Sequence, residues 1–116
     1  MQALTINGQE YAVKFSYSVI LDFCEKQGIE LYEYGEQMAK INFDKPTAQS
    51  AKLTALLIHC AILRGCEINH ITCDLSVNDI IDSIFTEEGL LANAVQAIVN
   101  DMPVKKKAKD QEAMQG

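Results

Sequence analysis

Residues 53–63 read LTALLIHCAIL, an apolar run interrupted only by Thr54 and His59. Placed in a helix over residues 47–64, this stretch is apolar nearly all the way round. A helix without a polar face is buried on several sides. It therefore predicts a central helix with the other elements packed about it, or one that lies partly at a subunit interface. Gly65 is the expected stop.

The segments on either side supply what such a helix packs against. Residues 3–15, ALTINGQEYAVKF, predict a β-hairpin. Leu4 and Ile6 alternate on one side of the turn, and Tyr11, Val13 and Phe15 alternate on the other. Asn7-Gly8 supplies the positive φ angles of a tight turn. Two strands alone are marginal in water, so their apolar face must rest on helices or pair with another strand. Residues 16–27 predict a first helix, with Ser16 as N-cap, Phe15 and Ile20 as a staple pair, and Val19, Ile20, Phe23 and Cys24 inward. Gly28 is its expected end. Residues 31–42 predict a shorter helix with Leu31, Tyr34, Met38 and Ile41 on one side, broken by residues 43–46.

Beyond the central helix, residues 66–75 read as a loop. Ser76 opens a fourth helix with Asp79 at its N3 position, and Val77, Ile80, Ile81, Ile84 and Phe85 form its apolar stripe. A fifth helix is expected over residues 87–101, with Leu91, Ala94, Val95, Ile98 and Met102 inward and Glu87 and Glu88 at its positive end. The fold class is thus α+β, mostly α: an N-terminal hairpin followed by a bundle of about five helices. Residues 1–103 form one domain, and the polar, charged residues 104–116 are read as a disordered basic tail.

The 116 residues carry a formal charge of −6. Lys105, Lys106, Lys107 and Lys109 lie in the tail, so residues 1–104 hold six basic groups against fourteen acidic ones, a balance of −8. A body of that sign repels phosphate backbones, which argues against nucleic acid as a partner. No run of about eighteen uncharged apolar residues is present, so no membrane span is expected. The first residues, MQALTINGQE, lack the basic start and apolar region of a secretory signal, and the expected compartment is the cytoplasm.

Four cysteines are too few for a disulfide scaffold and are expected as reduced thiols. Cys60, Cys66 and Cys73 lie near His59 and His70, which invites a zinc reading. Structural zinc sites want ligand pairs two to four residues apart, and the gaps here are wider, so no metal is expected. His59 sits among apolar residues and reads as a packed histidine rather than a base. Asp79/Asp82 and Glu87/Glu88 read as solvated carboxylates. Asp82-Ser83-Ile84 is similar to the D-S-L motif of acyl carrier proteins, whose serine bears a phosphopantetheine arm. That serine sits at the exposed start of a helix, whereas Ser83 falls inside one and no glycine precedes Asp82. No catalytic residue and no cofactor is assigned.

The order of elements and several phrases carry a resemblance of another kind. The hairpin LTINGQEYAVKF leads into SYSVILDFCEKQGIEL, then the buried ALLIHCAILRG, then LSVNDIIDSIF, then a last helix with a charged tail. Over roughly residues 3–102 this resembles the tail assembly chaperones of long-tailed bacteriophages and prophages. Residues 66–75 have no counterpart in that pattern. The resemblance implies a non-enzymatic protein of viral morphogenesis. Such chaperones bind the long helical tape measure protein and keep it soluble while tail tube subunits polymerise round it. They are absent from the mature virion, and many self-associate.

On that reading the partners are the tape measure protein, the tail tube protein and a further copy of the chain. Leu53, Leu56, Leu57, Ile58 and Ile62 are the candidate partner-binding residues, because surplus apolar surface is what a holder needs. The competing reading makes this helix simply the core of the domain. The family often makes a longer second product by ribosomal frameshifting. Codons for Lys105-Lys106-Lys107 would give the A-rich run such an event requires, although a lysine-rich tail needs no such purpose. An alternative function is a small helical adaptor or regulatory protein acting through protein contacts.

Overall fold

Asn7 and Gly8 adopt φ of 55° and 78°, the turn geometry that matches the twist of a two-residue hairpin. They join β1 (Gln2–Ile6) to β2 (Gln9–Val13) in antiparallel register, with Leu4 opposite Tyr11 and Gln2 opposite Val13. The computed structural model describes residues 2–41, 45 and 47–101. After the hairpin come α1 (Tyr17–Gln27), α2 (Leu31–Ala39), α3 (Ala48–Ile68), α4 (Val77–Thr86) and α5 (Leu90–Asp101). The expected class, a hairpin followed by a mostly helical bundle, is the class observed. Met102 and the tail at 104–116 lie outside the described residues.

The strands pair only with each other among the described residues, and helices cover them. β2 packs on α3 and β1 on α5. Leu4, Ile6 and Val13 turn their side chains into the core, where Phe15, Phe23, Ile58, Ile62 and Ile80 are also wholly buried. α3 is the central element and touches β2, α1, α4 and α5, as its all-round apolar surface predicts. Its start is closed by a reciprocal cap. Thr47 Oγ1 accepts the Ser50 N–H at 3.1 Å, and Ser50 Oγ accepts the Thr47 N–H at 2.8 Å.

Its end is a correction. Gly65 does not stop α3, and residues 66–68 are helical rather than loop. The role of Gly65 is to let the hairpin approach. A β-carbon there would strike the carbonyl of Ala12 and come within 2.9 Å of the Val13 amide nitrogen. Four residues upstream, the Ala61 carbonyl accepts the Lys14 N–H at 3.1 Å, so strand and helix meet backbone to backbone. The stop falls instead at His70, with φ 57°. Ile71 N–H reaches back to the Cys66 carbonyl at 2.8 Å and His70 N–H to that of Glu67 at 3.2 Å, which is the Schellman pattern with a histidine in the usual glycine place. Gly28 ends α1 by the same device, at φ 74°.

Other boundaries shift for identifiable reasons. Ser16 stands at the N-cap of α1, but its hydroxyl pairs with that of Ser18 at 2.9 Å rather than with a backbone N–H. α2 ends at Ala39, short of the expected residue 42, and Leu31 at its start is exposed. α4 opens at Ser76 as expected, with Ser76 and Asp79 satisfying each other's backbone N–H groups. α5 begins at Leu90, not at residue 87, because Glu87 is extended and its carboxylate accepts the Asn7 N–H at 3.0 Å. At the far end, Asp101 accepts the Phe15 N–H at 2.8 Å and faces Lys14 Nζ at 3.4 Å. These carboxylates pin α5 along the hairpin at both ends. The face so buried is Leu90, Ala94, Ala97 and Ile98, rotated by about one residue from the one the sequence suggests.

Candidate interaction surface

The chemistry-bearing side chains are dispersed. His59 hydrogen-bonds the Leu75 carbonyl through Nε2 at 2.7 Å, which ties α3 to the segment leading into α4. His70 is exposed at the end of α3. Ser83 is 2 % exposed, so its hydroxyl is shut inside the domain and closed to an attached arm. Among the described residues no three His, Cys, Asp or Glu side chains gather as a metal set. Burial raises the Cys66 pKa, and the neighbouring Cys73 thiol adds to the rise.

Burial also pushes the Cys60 thiol from 9.0 up to about 12, with Lys26 opposing and Asp22 adding to the rise. Tyr34 moves from 10.0 to about 12 through burial, with a smaller push from Cys24. A thiol held in its protonated form is a poor nucleophile near neutrality. These shifts set an alkaline limit. Between pH 9.0 and about 12 the unfolded chain gives up protons that the folded chain keeps. Stability is therefore full below about pH 9 and is lost as pH climbs toward the folded values. Urea midpoints should fall steadily above pH 9.0, and less steeply for Cys60→Ala. Equal midpoints for the wild type at neutral and strongly alkaline pH would contradict the burial argument.

What remains at the surface is apolar area in separate places. Four of the candidate residues on α3, Leu53, Leu57, Ile58 and Ile62, are 0–6 % exposed and face the domain's own core. Leu56 is half-buried and packs on the same core. In this monomer the α3 stripe is consumed by β2, α1, α4 and α5, so it is not the apolar area on offer. Tyr17 and Leu21 stand out on α1, and Leu31 and Tyr32 on α2. A concavity of about 640 Å³ lies between α4 and α5. Ile84, Phe85, Leu91, Ala92 and Val95 form its apolar lining, and Glu87 and Glu88 stand at its turn.

Phe85 is 60 % exposed and Val99, one turn beyond Val95, is 54 % exposed. Leu91, Val95 and Val99 follow at intervals of four and so lie along one side of α5. Sequence reasoning assigned Phe85, Leu91 and Val95 to inner faces. One signal in the sequence points the other way: the apolar bands of α4 and α5 are too wide for one buried side each. A second is charge, since no Lys or Arg occurs between residues 65 and 101.

No helix among the described residues is long and apolar enough to cross a membrane. Comparison of the chain with protein-family models, with curated proteins and with solved structures finds no match.

Proposed function

We propose that the chain is a tail assembly chaperone of a long-tailed bacteriophage or prophage. It acts by holding the tape measure protein in soluble form during tail assembly, without catalysis. The observation that carries this reading is the open apolar groove between α4 and α5 on an acidic domain. A long helical protein with exposed apolar stripes needs a partner that covers those stripes and presents charge to water, and an amphipathic helix laid in a groove is the common solution. The element order and the phrases quoted above support the same assignment. Tail tube protein and further copies of the chain are additional partners on this reading. Its place is the host cytoplasm and not the finished particle.

The test is co-expression with the tape measure protein encoded in the same genome. That protein should become soluble and co-purify with the chain. If it stays insoluble and the two do not co-purify, the chaperone reading fails. The adaptor reading would then gain, and a gene neighbourhood without tail genes would favour it.

A further inference from the structure

We infer that the α4–α5 groove accepts a basic amphipathic α-helix, with its apolar stripe on Phe85, Leu91 and Val95 and its cationic flank against the acidic rim. This deepens the chaperone reading and rests on it for the identity of the natural partner. The argument is charge complementarity around an apolar seat. From residue 76 to residue 101 the chain carries Asp79, Asp82, Glu87, Glu88 and Asp101 and no Lys or Arg. Glu87 and Asp101 are tied to the hairpin backbone and Asp79 to the cap of α4, which leaves Glu88 exposed on the groove's lining and Asp82 exposed on α4, one turn before Phe85. A partner with lysines along its flank gains attraction there, and one with carboxylates is repelled.

The row Leu91, Val95, Val99 belongs to a helix of 12 residues, about 18 Å long, which suits a partner helix of three turns or more. A second copy of the chain is a poor occupant. Two-fold pairing would set the same acidic rim against itself, with no basic residue between 65 and 101 to relieve it.

The experiment uses the full chain and synthetic helical peptides of about 18 residues, five turns long. One has a leucine stripe with lysine flanks, one the same stripe with glutamate flanks, and one is scrambled. The lysine-flanked helix should bind at least about tenfold tighter than the glutamate-flanked one, and added salt should erode that preference. Phe85→Ser and Val95→Ser should each weaken it by about tenfold or more while circular dichroism stays unchanged. Glu88→Lys should shrink the lysine preference. Tyr17→Ser and Leu21→Ser on α1 should leave binding as it is.

Binding lost in the α1 variants and kept in Phe85→Ser would overturn the assignment of the groove. So would a wild-type dimer that Phe85→Ser dissolves, because the occupant would then be a second copy. A full-length variant with K105Q, K106Q, K107Q and K109Q that binds the peptide more than about tenfold tighter than the wild type would overturn it too, by making the chain's own tail the occupant. The two proposals fail separately. A tape measure protein that co-purifies equally well with Phe85→Ser sinks the groove and spares the chaperone. A lysine-flanked peptide that binds while the tape measure protein does not co-purify does the reverse.

Discussion

Gly65→Ala should lower the stability to urea by about 3 kcal/mol or more, although alanine is the better helix former. The added methyl group meets the Ala12 carbonyl and the Val13 amide nitrogen, and neither can move without dragging β2. The strand is held in place by the Lys14 N–H bond to Ala61 and by its pairing with β1. Relief therefore requires the hairpin to lift off α3, which uncovers Val13 and Phe15. Gly35→Ala in α2 is the matched control, since nothing lies within 4 Å of a β-carbon there. It should stabilise the protein by about 0.5–1 kcal/mol through the ordinary helix preference. Chemical denaturation of both variants decides the matter. If Gly65→Ala matches Gly35→Ala in sign, the close approach of hairpin and helix is not real.

Phe23→Ala should cost about 3–5 kcal/mol, a large share of the roughly 5–15 kcal/mol that holds such a domain together. Phe23 is wholly buried and meets the Tyr34 ring edge-on, with centroids 5.8 Å apart and an interplanar angle of 80°. Its ring contact with Tyr34 also joins α1 to α2, which has no fully buried residue. The same truncation at Phe85 should change stability by less than about 1 kcal/mol, because that ring is already mostly in water. Loss of Phe23 would also hydrate Tyr34, and its phenol should titrate closer to 10.0 than to about 12. Equal losses at the two phenylalanines, read from urea midpoints, would mean that Phe85 is covered in solution. The α4–α5 groove would then not be open.

Much of the architecture was legible. Asn7-Gly8, Gly28, Thr47 and Ser76 each mark a boundary by a local steric or hydrogen-bond requirement that a residue type satisfies on its own. The central place of α3 followed from having no polar side. What was not legible has a different cause. Glycine commonly ends helices, but at Gly65 the missing side chain answers a contact with a strand some fifty residues earlier. His70, which does end the helix, is not a residue whose type announces that role. The candidate partner-binding residues on α3 are strongly apolar, a property that fits a core as well as an interface.

From residue types and their spacing alone came the hairpin, the number and order of the helices, the central position of α3 and the acidic character of the body. Each of these depends on interactions within a turn or along one helix face. The tertiary structure decided which apolar residues are left over. Glu87 bound to Asn7 and Asp101 bound to Phe15 fix the rotation of α5, so that Ala94 and Ile98 face inward, Val99 faces outward and the half-buried Val95 lines the groove. Helical periodicity defines a stripe only to within about a residue, some 100° of rotation. Side-chain anchors on a distant strand choose the angle, and with it whether a phenylalanine or valine belongs to the core or to the surface offered to a partner.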